Sequence, residues 1–425
     1  MTKKHYKQNN HPVFTLKIIT HTNHNISQKE INRNALKVLQ RLLNAGFEVY
    51  LVGGSVRDLL LKKKPKDFDI TTNATPEQVK HLFKNCRLIG RRFRLAHIIF
   101  GREIIEVATF RGHHKNLKKN ISMQSKKGIL LRDNVYGKIH EDVERRDFTI
   151  NAMYYNIKDY SIHDYFGGIS DLKNKVIRLI GNPKIRYRED PVRILRAIRF
   201  SVKLNFHIEK DTAQPIQELS YLLKEVPAAR LYEESLKLLQ SGYGLKTYHL
   251  MRQYNLFQQL FPITSSYFTK DYSSYTEKML SLVLNSTDLR IEAGKRINPA
   301  FMFVAILWYP LNILADELAK KNKLAYYDAI IEAGNVILHE QAKTIAIPRR
   351  HTETIREIWQ LQLCLPRRRG NQAFRLMELN KFRASFDFLE MRGVIEGKEI
   401  EELSKWWLIF QNAGSNIQES MISHF

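Results

Sequence analysis

Residues Val49–Val52 form a short apolar run that ends in Gly53-Gly54-Ser55-Val56-Arg57-Asp58, and Lys66-Asp67-Phe68-Asp69 follows about a dozen residues later. A double glycine where a strand turns into a helix lets backbone N–H groups approach a phosphate, and the helix N-terminus adds a positive dipole. On a strand, Asp67 and Asp69 would share one face, roughly 7 Å apart along the chain, with Phe68 turned to the core. Two such carboxylates suit a pair of Mg²⁺ ions roughly 3.5–4 Å apart, one activating an attacking hydroxyl and one steadying a leaving pyrophosphate. Mg²⁺ keeps several waters and needs few carboxylates when phosphates share it. The segment therefore carries both halves of a nucleotidyl-transfer site, with Gly53 and Gly54 for phosphate and Asp67 and Asp69 for metal. A solvated Asp-x-Asp without a role is common; the double glycine upstream is what separates this one from it.

Further residues fit around that pair. Arg57 lies one turn inside the helix, where a guanidinium reaches phosphate bidentately, and Asp58 reads as a group that orients a partner such as an arginine. Glu106 has two readings of equal weight, a third carboxylate beside the Asp pair or a cross-strand partner for an arginine. In Arg145-Arg146-Asp147-Phe148-Thr149-Ile150-Asn151, a helix would set Asp147 and Asn151 on one face. Asp147 would then accept from a ribose hydroxyl or complete the metal cage, and Arg146 would meet phosphate. Taken without the first motif, the same stretch is a surface ion pair over buried Phe148 and Ile150.

Arg188-Glu189-Asp190-Pro191-Val192-Arg193 has a base-reading logic. Asp190 at an N-cap and Pro191 at the first helical position start a helix, which puts Asp190 and Arg193 together at its first turn. A carboxylate beside a guanidinium presents an acceptor next to a donor. The Watson–Crick edges of adenine and cytosine match that pair, whereas uracil and guanine would leave buried groups unpaired. The pattern predicts a site for ATP, with CTP also compatible and UTP and GTP rejected. Its structural alternative is a helix cap with a local salt bridge. Arg196 and Arg199 continue the stripe toward phosphates or nearby acids.

The elements that must position these groups come from periodicity. Ser27-Gln28-Lys29-Glu30 reads as a capping box opening a helix through about Leu43, with Ile31, Ala35, Leu36, Val38, Leu39 and Leu42 as its apolar stripe and Gly46 as its stop. Strands are predicted at Val49–Val52 and Phe68–Thr71, with a helix at Val56–Leu61 between them. Another helix starts at Thr75-Pro76-Glu77, and a hairpin spans Leu95–Phe100 and Glu103–Phe110. The polar stretch 112–130, with Lys118, Lys119, Lys126 and Lys127, reads as a loop. Strand-like runs at Ile150–Asn156 and Ser161–Tyr165 close the α/β region near Gly181. From Asp190 onward the period is helical. The domains are drawn as a basic arm at 1–27 with a short strand at Val13–Ile19, a head at 28–182, a neck at 183–250 and a body and tail at 251–425.

The chain has 425 residues and a formal net charge of +25. The first 150 residues hold 30 Lys and Arg against 13 Asp and Glu, so a polyanion is expected at the N-terminal half, nucleic acid before an anionic membrane. Arg349-Arg350 and Arg367-Arg368-Arg369, with Trp359, Phe374, Phe382, Trp406 and Trp407, suit single-stranded RNA, although core packing explains most of the aromatics. Only Cys86 and Cys364 occur, which excludes a disulfide framework and fits a reducing cytoplasm. The opening residues lack the apolar run of a signal peptide. The apolar run Ala300–Tyr309 is too short to span a bilayer and reads as a buried helix. His113-His114 and His163-Asp164 lack the partner spacing of a metal hydrolase and read as structural.

These ordered motifs resemble those of the class II tRNA nucleotidyltransferases and bacterial poly(A) polymerases. Within that superfamily, Leu88-Ile89-Gly90-Arg91-Arg92-Phe93-Arg94-Leu95 resembles the poly(A) polymerase branch, because CCA-adding enzymes carry a Gly-x-x-Phe-Gly-Thr pattern where this chain has Arg94 after Phe93. Glu106-Val-Ala-Thr-Phe-Arg111-Gly-His-His114, Ile297-Asn-Pro-Ala-Phe301 and Ile347-Pro-Arg-Arg350 extend the likeness, which runs from about Gly46 to about Phe410. The resemblance implies an α+β fold, with a polymerase-β-like nucleotidyltransferase head of mixed sheet and helices followed by all-α neck, body and tail. It implies Asp67, Asp69 and Asp147 as catalytic carboxylates, Mg²⁺ as cofactor, and untemplated addition of AMP from ATP to RNA 3′ ends that feeds RNA-decay machinery. The chain ends soon after Trp407 where family members often carry a longer basic tail, so the likeness covers the chemistry rather than tail-dependent binding. The alternatives are a CCA-adding tRNA enzyme and a non-catalytic RNA-binding protein retaining the fold.

Overall fold

The computed structural model describes residues 16–90, 93–112, 122–124, 130–133 and 135–423. Arg91, Arg92, His113, His114 and the lysines at 118, 119, 126 and 127 lie outside the described residues, as does the start of the predicted strand at Val13. The chain divides into two compact units, Met1–Leu219 and Ser220–Phe425.

The first unit is built on one sheet with the strand order β1-β10-β9-β2-β3-β6-β5-β4. In chain order these are β1 (Lys17–Ile19), β2 (Val49–Val52), β3 (Asp69–Thr72), β4 (Cys86–Ile89), β5 (Leu95–Phe100) and β6 (Glu103–Thr109). A separate hairpin, β7 (Ser122–Gln124) with β8 (Leu130–Asp133), comes next, and β9 (Met153–Asn156) and β10 (Ile162–Asp164) complete the large sheet. β2 sits mid-sheet, so all four of its residues are buried. β3 and β6 run parallel while the other paired neighbours in that sheet are antiparallel, which makes the sheet mixed. In β6, Ile105, Val107 and Thr109 point inward and Glu106 stays on the open face, the alternation expected of a half-buried strand.

The helices of this unit are α1 (Arg33–Asn44), α2 (Gly54–Leu60), α3 (Pro76–Leu82), α4 (Ile139–Arg145), α5 (Gly168–Lys173), α6 (Pro183–Glu189), α7 (Val192–Leu204) and α8 (Lys210–Leu219). α1 packs on β2, β3 and β6, and α3 on β4, β5 and β6. α1 buries Ala35, Val38, Leu39 and Leu42, most of the predicted stripe. Its start differs from the prediction. The Ser27–Glu30 capping box closes a single 3₁₀ turn at Gln28–Glu30, and Asn32 caps α1 by accepting from the N–H groups of Asn34 and Ala35. The Thr75 capping box does open α3, with Pro76 at its first turn.

Two further differences bear on the site. Residues 112–130 are not wholly loop, because β7 pairs with β8; lysine-rich composition hides a short hairpin from a hydrophobicity reading. The stretch Asp147–Asn151 is not an α-helix. α4 ends at Arg145, Arg146 is extended, and Thr149–Asn151 form one 3₁₀ turn.

The second unit is helical, from Ala228–Leu239 to Ser415–Ser423. The apolar run at Ala300–Tyr309 lies in a helix, Pro299–Asn322, that is long and apolar enough to cross a membrane by length and composition. Ala300 and the residues from Met302 to Trp308 are buried inside the unit instead. Trp359 and Trp407 are fully buried, and their indole N–H groups donate to the carbonyls of Val304 and Leu365. Phe382 is buried and Phe374 and Trp406 pack beside it, so these aromatics form core. Among the described residues, Cys86 and Cys364 are free thiols.

Candidate active site

Gly53 makes the turn from β2 into α2 with φ +77°, a conformation that side chains rarely adopt. The turn and the start of α2, the start of β3, the segment after β6, the end of α4 with the segment that follows it, and the α6–α7 junction with the first turns of α7 enclose a cavity of about 350 Å³. Gly53, Gly54 and Asp69 line it, and so do Asp147, Asn151 and Asp190. Six guanidiniums also face it, from Arg57, Arg111, Arg145, Arg146, Arg193 and Arg196, against three carboxylates. That excess suits a polyanion such as a triphosphate. Larger cavities, of about 410, 430, 570 and 680 Å³, lack this convergence of glycine turn, arginines and carboxylates.

Arg57 is held on three sides. Its Nε donates to Asp58 Oδ1 at 2.8 Å, its Nη1 donates to Asn151 Oδ1 at 2.6 Å, and it lies over the Phe200 ring at 5.2 Å. Asp58 thus orients an arginine, as its place in the sequence predicts.

The Asp pair is arranged differently from a regular strand. β3 begins at Asp69, while Asp67 and half-buried Phe68 lie in the irregular segment before it. Asp69 lines the cavity and Asp67 does not, yet the Asp67 charge acts on Asp69. Asp69 is directly opposite Glu106 on β6. Partial removal from water, then repulsion from Glu106 and more weakly from Asp67, push the Asp69 carboxyl up to about 6, against the opposite pull of Arg146 and Arg196. Glu106 pairs with His97, Nε2 to Oε1 3.2 Å, rather than with an arginine.

Asp147 is buried. Burial alone would raise its pKa, but Arg196, the Phe148 N–H and the Asn151 amide outweigh it and hold the carboxyl below its usual range. The Arg196 contact is 2.6 Å and the Asn151 Nδ2 bond to Asp147 Oδ1 is 3.3 Å. Asp147 and Asn151 therefore do meet, through a tight turn rather than a helix face. Arg186 fixes the preceding segment by donating from Nη2 to the Arg145 and Arg146 carbonyls at 2.9 and 2.6 Å, satisfying the end of α4.

The Asp190–Arg193 pair lines the same cavity, with one correction. Asp190 is the C-terminal cap of α6 and Pro191 precedes α7, because the residue before a proline prefers extended geometry and ends a helix. Asp190 still shapes the next turn, since its carbonyl accepts the Arg193 N–H at 3.0 Å. Arg193 Nη1 donates to the Arg186 carbonyl at 2.8 Å and to Glu189 at 3.1 Å.

Three contributors were not legible as site residues. Arg111 lies two residues beyond β6, bridged to Tyr136, Phe200 sits two turns into α7 beneath Arg57, Arg196 and Arg199, and Tyr154 lies on β9 under Arg146. His163 and Asp164 are structural: Asp164 accepts the N–H groups of Phe166, Gly168 and Ile169 at the start of α5.

Family models match three stretches of the chain. They are described as poly A polymerase head domain (residues 49–178), probable RNA and SrmB-binding site of polymerase A (205–268) and polymerase A arginine-rich C-terminus (322–425). The poly(A) polymerase I of Salmonella typhimurium is 56% identical over 409 residues, covering 96% of this chain and 88% of the relative. This chain belongs to the poly(A) polymerase I family. A CCA-adding enzyme from Lactobacillus helveticus is 41% identical, but over only 48% of this chain and 49% of the relative. In sequence, the poly(A) polymerase likeness thus spans nearly the whole chain, and the likeness to this CCA-adding enzyme about half of it. Among solved structures, a tRNA-processing enzyme in its apo form is 26% identical, with a TM-score of 0.60 over 90% of this chain and 98% of its own length. The head is the nucleotidyltransferase fold expected from the motifs, and the family is one of polyadenylating nucleotidyltransferases.

Proposed function

We propose that the cavity at Gly53 adds AMP from ATP to RNA 3′ ends without a template, with Asp67, Asp69 and Asp147 as its catalytic carboxylates. The observation that carries this assignment is the position of Asp69, which faces both the glycine turn and a second carboxylate, Glu106, in a cavity otherwise rich in arginine.

The donor set fits Mg²⁺. Burial, then the charges of Glu106 and Asp67, raise the Asp69 pKa, and a divalent cation at that carboxylate would offset them. Among the described residues no group of three or more His, Cys, Asp or Glu side chains is placed to hold a metal ion by itself; Mg²⁺ keeps several waters and shares substrate phosphates, so two carboxylates suffice. Asp67 and Asp69 would hold the metal, with Glu106 as a third carboxylate, and Mg²⁺ there would supply charge neutralisation at the reacting phosphate.

The remaining roles belong to the protein. The N–H groups of the Gly53-Gly54 turn and the guanidiniums of Arg57 and Arg146 bind the triphosphate. Asp147 and Asn151 hold the ribose, Asn151 being fixed through Arg57. Asp190 and Arg193 read the adenine edge. The 3′-hydroxyl of RNA then attacks the α-phosphate in line, forming the new phosphodiester and releasing pyrophosphate. The segment 205–268, matched by the RNA-binding description, takes the RNA behind the 3′ end, and RNA-decay machinery is the downstream partner. The domain limits at residues 27, 182 and 250 remain part of this proposal.

Extension of a generic RNA and of a tRNA lacking CCA, with each nucleotide offered singly, tests the reading. Long A tracts on the generic RNA are expected with ATP. Addition of C to the tRNA with no A tract on the generic RNA would overturn it.

A further inference from the structure

Asp142 lies behind the cavity rather than on its wall, and it is 1% exposed. Its carboxylate collects donors from three elements. Oδ1 accepts the Arg111 backbone N–H at 3.1 Å and Arg111 Nε at 3.4 Å. Oδ2 accepts Arg146 Nε at 3.2 Å, Arg146 Nη2 at 3.0 Å and the Tyr154 hydroxyl at 2.6 Å. Tyr154 closes the figure by accepting from Arg146 Nε at 2.6 Å, with its ring 4.9 Å from the guanidinium carbon.

Both arginines held this way line the cavity, and Arg146 Nη1 stands 3.8 Å from where a side chain on Gly53 would begin. We propose that Asp142 is a positioning residue for the triphosphate, holding Arg146 over the Gly53 turn and Arg111 in the adjoining wall, and that Arg111 is a phosphate-contacting residue. The proposal rests on the nucleotide-site reading above.

The physical need is plain. Several guanidiniums crowd one cavity and repel each other, so without a buried counter-charge they would splay into solvent before a triphosphate arrived. A carboxylate that bonds two of them, and is itself fixed by a core tyrosine, keeps them preorganised. Burial works against the Asp142 charge, yet Arg146, Arg111 and the Tyr154 hydroxyl hold it ionised below the usual carboxylate range.

The alternative role is a staple that fastens α4 to β6 and β9, and binding measurements separate the two. Equilibrium binding of ATP and of adenosine to the full-length chain is compared between the native protein, Asp142→Asn and Tyr154→Phe, with pyrophosphate as a competitor. Positioning predicts that Asp142→Asn weakens ATP and pyrophosphate roughly ten- to a hundredfold, the worth of one or two charged hydrogen bonds, while adenosine changes less than about twofold. KM for ATP should rise by more than kcat falls. Should Asp142→Asn not fold, Tyr154→Phe decides, because it keeps the ring and removes one bond each from Asp142 and Arg146; ATP should weaken roughly threefold to tenfold with adenosine unchanged. Equal weakening of ATP and adenosine, or no change in either, would overturn the proposal. A native chain that fails to bind ATP more tightly than adenosine would instead refute the nucleotide-site reading itself.

Discussion

Asp69 and Glu106 stand directly opposite each other across the parallel pair β3 and β6. Adjacent parallel strands bring like-numbered positions within about 5 Å in the hydrogen-bonding direction, so two carboxylates here must repel unless a cation or proton lies between them. The fold accepts that cost beside the cavity that Asp69 lines. His97 Nε2 lies 3.2 Å from Glu106 Oε1.

The first consequence is a pH dependence of stability. The Asp69 pKa rises to about 6 in the fold, from an ordinary value of 3.8. The folded chain therefore holds a proton that the unfolded chain has lost between those values, and stability falls as pH rises through that window. Asp69→Asn carries no charge to repel Glu106, so it should stabilise the metal-free protein above about pH 6 and make no difference below about pH 4. Full conversion of the shift would give about 3 kcal/mol, but Asp69 is open to solvent, and screening reduces the expectation to about 1 kcal/mol. Urea denaturation at the two pH extremes measures it, and Mg²⁺ should abolish the difference by stabilising the native chain.

Replacing either member of the Asp pair should separate chemistry from folding. Asp67 and Asp69 are both exposed and neither side chain anchors the core, so Asp67→Ala and Asp69→Ala should melt within a few degrees of the native protein. AMP incorporation should fall at least roughly a thousandfold, as expected for loss of a group that stabilises developing charge. Radiolabelled incorporation beside a thermal melt checks both halves. Retained incorporation by purified Asp67→Ala would remove that residue from the mechanism.

The place of Asp69 beside the glycine turn was legible because its signal is local: a β run, a glycine turn and an Asp-x-Asp need no tertiary information. The same holds for the β5–β6 hairpin, where alternation and the Gly101-Arg102 turn suffice, and for Arg196, one turn beyond Arg193. Legibility failed where partners are distant in the chain. Asp142 meets Arg111 across 31 residues and Tyr154 across 12, and no spacing rule links a strand end, a short helix and a central strand. It also failed at boundaries. Asn32 displaced Ser27 as the cap of α1, and Asp190 closes α6 instead of opening α7, since Asx and Ser caps compete within a few residues and only packing chooses between them.

The glycine turn makes a paired prediction. Gly53 has φ +77°, whereas Gly54 is helical and an added Cβ there would meet the Arg57 guanidinium at an ordinary 3.5 Å. Gly53→Ala should therefore cost about 1–3 kcal/mol of stability through backbone strain. Gly54→Ala should stay within about 1 kcal/mol of native, since alanine is the better helix residue. Both should raise KM for ATP, because each places a methyl where phosphate must approach the backbone. Denaturant melts and steady-state kinetics on the two variants distinguish strain from obstruction.

Base choice should depend on the junction between α6 and α7. Among the described residues, the side-chain hydrogen bonds of Arg193 run through Nη1 to the end of α6, which aims the guanidinium by tying it to the preceding helix. Asp190→Asn keeps the size of the side chain but turns an obligate acceptor into a group that can donate, so it should accept a base edge of either polarity. We expect kcat/KM for ATP to drop roughly tenfold, as a charge-assisted hydrogen bond becomes a neutral one, while UTP and GTP gain. Arg193→Ala should lower ATP by a similar factor without any gain for UTP or GTP, because it removes a donor and adds no new one. The kcat/KM values for the four nucleotides on one RNA primer test the pair, and an unaltered ranking in Asp190→Asn would place base reading elsewhere in the cavity.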